Sequence, residues 1–139
     1  MTRKRILLAE DHIAMRDTIV KMLEPEFEVV GVVDNGKNLL EAAERMHPDV
    51  VVIDITLPIL NGIEAAHRLR EANSTAKVIF LTMHEDPDFV RAALAAGGKA
   101  YVVKSRMSSD LLSAINEALA DHLFVSPSIP LYIQDEADA

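Results

Sequence analysis

The chain has 139 residues, 50% of them hydrophobic and 26% charged, which is the balance of one ordinary globular domain whose core needs no covalent staples. It has no cysteine, which excludes disulfides and thiolate metal sites and makes a reducing cytoplasm the expected compartment. A net charge of −8 argues against direct nucleic-acid binding, which rests on Lys and Arg neutralising phosphates, and no apolar run has the length of a membrane span.

At the N-terminus, Thr2-Arg3-Lys4-Arg5 precedes Ile6-Leu7-Leu8-Ala9, but Glu10 and Asp11 end that run too early for a signal peptide. Ile6 to Ala9 instead reads as a strand, apolar on both faces. Residues 13–23 place Met15, Ile19, Met22 and Leu23 at helical spacing, and Pro25 ends that helix. Phe27 to Val33 is a second strand. Asn35-Gly36 is a turn or cap before a helix marked by Leu39, Leu40, Ala43 and Met46, which stops ahead of Pro48.

Val50 to Ile53 is the third and most apolar strand. Asn61-Gly62 opens a helix carrying Ile63, Ala66 and Leu69, and Val78 to Leu81 is the fourth strand. Asp86-Pro87 reads as N-cap and first helical residue of a helix with Phe89, Val90, Ala93 and Leu94, closed by Gly97-Gly98. Ala100 to Val103 is a short fifth strand, and Ser108 is the expected cap of a last helix bearing Leu111, Leu112, Ile115, Ala118 and Leu119. From residue 123 an irregular tail is expected, containing Pro127 and Pro130, with Phe124-Val125 and Leu131-Tyr132-Ile133 as local apolar pieces and acidic residues at 135, 136 and 138.

Five strand–helix repeats with continuously apolar strands predict a doubly wound α/β fold with a five-stranded parallel sheet. In such a sheet the ligand site lies at the carboxyl ends of the strands. Glu10 and Asp11 follow strand one, Asp54 follows strand three, Thr82 follows strand four and Lys104 follows strand five. Alone, each is an ordinary cap, turn residue or solvated charge. Together, three carboxylates on one rim require positive charge. Lys104 supplies one unit, and an all-oxygen site without cysteine suits Mg²⁺ for the rest. A carboxylate nucleophile beside such charges is the equipment of phosphoryl transfer, with Asp54 as the acceptor.

The segments Ile6-Leu-Leu-Ala-Glu-Asp-His12, Val50-Val-Val-Ile-Asp-Ile-Thr-Leu-Pro-Ile-Leu-Asn-Gly62, Val78-Ile-Phe-Leu-Thr-Met-His84 and Gly98-Lys-Ala-Tyr-Val-Val-Lys104 resemble the response-regulator receiver family, from residue 3 to about residue 122. Glu-Asp-His after strand one, Thr-Met-His after strand four and Leu-Phe-Val-Ser-Pro near the end look most like the NarL/FixJ (LuxR-type) subfamily. The resemblance implies a flavodoxin-like sheet of order 2-1-3-4-5. It also implies two-component signalling, in which Asp54 takes a phosphoryl group from a sensor histidine kinase. The domain would catalyse only its own phosphorylation and dephosphorylation. Asp11, Asp54 and the Thr56 carbonyl would hold Mg²⁺, with Glu10 acting through a water. Thr82 and Lys104 would meet phosphoryl oxygens, Tyr101 would turn inward as Thr82 moves, and Thr56 and His84 would tune the loss of phosphate.

Two departures from the family pattern stand out. Glu10 replaces the commoner Asp and has longer reach. Ser105 follows the lysine where many relatives have proline, and a cis bond without proline costs about 2.5–4 kcal/mol.

A phosphatase of the haloacid dehalogenase type would need a second Asp where Thr56 stands. A flavodoxin-like cofactor binder would need a phosphate loop where Glu10-Asp11 would repel one. The resemblance implies a receiver at 1–122 and a tail or interdomain linker from 123 to 139, leading to a LuxR-type DNA-binding output domain that lies outside this chain. The alternative is a stand-alone regulator acting through protein contacts. The partner or dimer surface, including any homodimer formed on phosphorylation, is expected on the helix of residues 87–96, strand five and the last helix.

Overall fold

The structure, a computed structural model, describes residues 3–129. Its strands are β1 (Arg5–Ala9), β2 (Glu28–Val33), β3 (Val50–Ile53), β4 (Lys77–Thr82), β5 (Gly98–Val103) and β6 (Phe124–Val125). Its helices are α1 (Ile13–Leu23), α2 (Gly36–Met46), α3 (Gly62–Glu71), α4 (Pro87–Ala95) and α5 (Met107–Leu119), with a 3-10 turn at Lys104–Arg106. The sheet is parallel throughout, in the order β2-β1-β3-β4-β5-β6. The expected order is therefore present, extended by one strand.

Alternation along the strands builds a core on each face of the sheet. Leu7, Val51, Ile53, Phe80 and Tyr101 face one core, which α2, α3 and α4 close with Leu39, Ala65, Ala66, Leu69, Val90 and Ala93. Ile6, Leu8, Val50, Val52, Ile79 and Leu81 face the other, closed by Ile19 and Leu23 of α1 and by Leu111, Ala114 and Ile115 of α5. Both faces being dry, every residue of β3 is fully buried.

Local chemistry sets the helix starts. The Asn35 side chain accepts the Asn38 N–H at 2.8 Å, Asn61 accepts the Glu64 N–H at 2.9 Å, and Asp86 accepts the Asp88 N–H at 2.8 Å ahead of Pro87. Gly97 has φ 105°, a left-handed turn that frees Gly98 to begin β5.

Four expectations are corrected. Ser108 does not cap α5: the 3-10 turn runs directly into Met107, with Arg106 at the N-cap position. Gly98 does not close α4 but starts β5, two residues ahead of the expected start. Thr82 is the last residue of β4 rather than the first beyond it. The tail is not irregular from residue 123, because Phe124–Val125 pairs in parallel with Ala100 and Tyr101, so β5 is not the edge strand. Residues 130–139, with the Leu131-Tyr132-Ile133 piece and the acidic end, lie outside the described residues.

Candidate functional site

At the carboxyl ends of β1, β3, β4 and β5 the predicted rim residues do converge. Lys104 Nζ donates to Asp54 Oδ2 at 2.7 Å and to Glu10 Oε1 at 2.5 Å, and the three side chains are only 7%, 4% and 1% exposed. Burial pulls the lysine's proton affinity down, but hydrogen bonds to Asp54 and then Glu10 outweigh it, so its pKa is raised and the ammonium stays charged. The other Asp54 oxygen, Oδ1, accepts the Thr56 N–H at 3.2 Å and the Thr56 hydroxyl at 3.3 Å.

The backbone fixes Asp54 from both sides. Its N–H donates to the Ala9 carbonyl at 3.1 Å, and Gly62 lies so close that a Cβ there would sit 2.2 Å from the Asp54 carbonyl oxygen. Thr82 is fully buried, and its Oγ1 accepts the His84 N–H at 3.4 Å. The Tyr101 hydroxyl donates to the His84 carbonyl at 2.8 Å, so this ring is tucked inside beneath the β4–α4 loop. Burial, followed by the charges of Asp54, Asp86 and Glu85, pushes its phenol well above the usual tyrosine range. The His84 ring stacks on Phe89 with centroids 4.2 Å apart.

Glu10, Asp11 and His12 each bring a ligand atom within 4.8 Å of the others. Asp11 Oδ1 is buried without a hydrogen bond, the condition of an atom suited to a cation. The carboxylate oxygens fit a hard divalent ion such as Mg²⁺. Asp54 stands outside that trio, its Oδ2 held by Lys104. A groove of about 700 Å³ opens beside the rim, lined by Asp11, Thr56, Leu57, Asn61, His67 and Phe89 among others.

Residues 6–116 match the response regulator receiver domain family. The chain belongs to that family. It is 32% identical to the transcriptional regulatory protein DegU of Brevibacillus brevis, over 90% of this chain and 54% of that protein. It is 30% identical to the nitrate/nitrite response regulator protein NarL of Escherichia coli K12, over 89% and 58%. The chain thus spans little more than half the length of these curated relatives. A two-component response regulator of the LuxR family from Aurantimonas sp. SI85-9A1 superposes with a TM-score of 0.90 at 32% identity, covering 99% of this chain and 100% of that one. The protein is a receiver domain of two-component response regulators, NarL/LuxR-type, and phosphorylated aspartate and Mg²⁺ are general features of its family. Receiver domains of this kind interact with sensor histidine kinases. No helix among the described residues is long and apolar enough to cross a membrane.

In this receiver the sequence missed one polar cluster next to the lysine. Asp110, only 5% exposed, takes Arg106 Nε at 2.9 Å and the Ser126 hydroxyl at 3.0 Å, while Ser126 Oγ accepts the Val103 N–H at 3.1 Å. Ser126 lies in the Leu-Phe-Val-Ser-Pro segment, but nothing local gives it a role, since its partners lie at distant positions in the chain.

Proposed function

We propose that Asp54 is the phosphoacceptor of this receiver, with Glu10, Asp11 and Lys104 as its electrostatic frame. A carboxylate oxygen of Asp54 attacks the phosphorus of a phosphohistidine on the sensor kinase. The P–N bond breaks, its electron pair returns to the imidazole, and an acyl phosphate forms. The observation that carries this reading is the buried ammonium of Lys104 held between Asp54 and Glu10. A preplaced positive charge is worth most where charge develops in a dry site. Asp11, Asp54 and Glu10, together with the Thr56 carbonyl, are the groups that would hold Mg²⁺, which supplies further neutralisation of phosphoryl oxygens when bound.

The exposed apolar residues Ile13, Ile59 and Met83 lie on loops or helix starts just after β1, β3 and β4, where a kinase helix would approach. Thr82 and Tyr101 are the switch pair: a phosphoryl oxygen draws the Thr82 hydroxyl and the β4–α4 loop follows, over a Tyr101 ring that already lies inside and anchors that loop through the His84 carbonyl. The population shifts toward a state whose α4, β5 and α5 face differs, favouring a homodimer or an output contact. Similarity to the transcriptional regulatory protein DegU and to a DNA-binding response regulator of the LuxR family from Staphylococcus aureus supports a LuxR-type DNA-binding output. The division at 122/123 marks where the segment leading to that output begins, and that segment starts inside the sheet.

Incubation with acetyl phosphate and Mg²⁺, followed by peptide mass mapping, tests the assignment. Phosphate should appear on the Asp54 peptide, and Asp54→Asn should abolish it while the fold persists. Undiminished labelling of that variant would refute the acceptor.

A further inference from the structure

Val103 links the two phosphate-facing groups of the site. It pairs with Thr82 across the sheet and directly precedes Lys104, so its backbone position sets where both phosphate-facing groups lie. As the last residue of β5 it has β4 on one side. On the other, its N–H donates to the Ser126 hydroxyl at 3.1 Å. Ser126 is fully buried and satisfied in both directions, its hydroxyl donating a hydrogen bond to Asp110 Oδ2 at 3.0 Å. The same Oδ2 takes Arg106 Nε at 2.9 Å, and Arg106 closes the 3-10 turn that Lys104 opens. A second bond, from the Ser126 N–H to the Tyr101 carbonyl at 2.9 Å, ties the segment to the tyrosine.

We infer that Ser126 is a positioning residue for phosphoryl transfer: docked on β5, it holds the Val103–Lys104 backbone and couples the acceptor site to residues 124–129. The inference rests on Asp54 being the acceptor. Its physical content is that Lys104 is held at its head between Asp54 and Glu10, while the residue before it, Val103, is held by Ser126, and Arg106, two residues on, is tied to the same Asp110. A lysine held in place loses less freedom when it meets a phosphoryl oxygen. Coupling between two sites is reciprocal in binding free energy. If docking of Ser126 favours occupancy of the Asp54 site, occupancy must favour docking by the same factor.

The test has two arms on the full chain. Beryllium trifluoride with Mg²⁺ serves as the phosphoryl probe, and its affinity is measured for wild type, Ser126→Ala and Asp110→Asn. Hydrogen exchange of the Val125 and Ser126 amides is followed with and without the probe. The expected result is a loss of probe affinity of about fivefold or more in both variants. In wild type, the probe should slow exchange of residues 125 and 126 by a similar factor, and this slowing should vanish in the variants. Ser126→Thr, which keeps the hydroxyl, should retain much of the affinity. Asp110→Asn preserves side-chain volume, so it covers the case in which Ser126→Ala unfolds. A merely structural serine would lower stability without making exchange at 125–126 respond to the probe. Unchanged affinity in both variants, or exchange that ignores or is accelerated by the probe, overturns the coupling while leaving Asp54 as acceptor. Failure of acetyl phosphate to label wild-type Asp54 overturns both readings at once.

Discussion

Lys104 shares a dry site with two carboxylates, so the consequences of losing it differ from those of losing either partner. Lys104→Met leaves Glu10 and Asp54 buried and mutually repelling, and removal of one member of a buried pair costs about 3–5 kcal/mol. Asp54→Asn leaves the lysine with Glu10 and should cost clearly less. Urea unfolding of the two variants at pH 7 checks the order, and equal losses would show that Lys104 is not held by both. Tyr101 and Lys104 also fix the sign of the alkaline response. Both keep their protons to higher pH in the folded chain than the ordinary 10.0 and 10.5. Above those values the unfolded chain has released protons that the native state retains, so stability is whole below about pH 10 and falls as pH rises further. Tyr101→Phe should flatten part of that fall. At neutral pH it should cost about 1 kcal/mol, because the His84 carbonyl loses its donor. Urea midpoints from pH 7 to 11 read both effects. Thr56 and His84, the residues two beyond Asp54 and Thr82, are neither acidic nor amide-bearing side chains that would readily orient an attacking water. The phosphorylated state should therefore last minutes or longer after donor removal, and decay within seconds by intact-mass measurement would contradict that.

The element that most directly shapes the acceptor is the start of α3. Gly62 packs against the backbone it serves: a Cβ there would lie 2.2 Å from the Asp54 carbonyl oxygen and 2.7 Å from Ile53 Cγ2. Neither neighbour is a flexible side-chain tip, so Gly62→Ala must shift the Asp54 backbone, the start of α3 or both. The expected loss is about 1–3 kcal/mol or more, with slower acetyl phosphate labelling at a temperature where the variant is folded. Asn61→Ala, one residue earlier, removes only the cap on the Glu64 N–H and should cost about 1 kcal/mol with labelling unchanged. Equal labelling by the two variants would remove the positional role of Gly62. Such starts were readable because an Asn-Gly or Asp-Pro pair acts within one turn. The start of α5 differs from the local signal for the same reason in reverse: Ser108 looks like a cap, yet the 3-10 turn at Lys104–Arg106 feeds the helix two residues earlier, with Arg106 at the N-cap position. The rim residues were legible because each directly follows or ends an apolar strand. That Lys104 would reach both Glu10 and Asp54 was not, since it depends on a side chain at the end of β5 reaching past β4 to the ends of β3 and β1.

At the scale of the whole molecule, the central strands and the last one differ in what holds them. β1, β3 and β4 have neighbours on both sides and dry cores on both faces, whereas β6 adds two paired residues at an edge. Its sequence carries too little periodicity to declare a strand, and the partners of Phe124, Val125 and Ser126 are the β5 backbone and Asp110, far away in the chain. Its energetics are correspondingly near balance. Each residue fixed from 124 to 129 costs about 1–2 kcal/mol of backbone entropy. Against that stand Val125 and Ile129, each worth about 1.5–3 kcal/mol on burial, and the bonds of Ser126 and Ile129 at about 1 kcal/mol apiece. The two sides are similar, so the segment should open far more often than the molecule unfolds. A piece of chain poised in this way is one that an event at Asp54 has enough free energy to bias. Native-state hydrogen exchange reads the difference: the Ser126 amide should exchange orders of magnitude faster than those of Val52 and Ile79. Low urea should leave the Ser126 rate nearly unchanged while raising the other two, because small openings expose little surface and global unfolding exposes much. Exchange of Ser126 at the same rate and with the same urea dependence as Val52 would mean that β6 is cooperative with the whole sheet and not a separately mobile end.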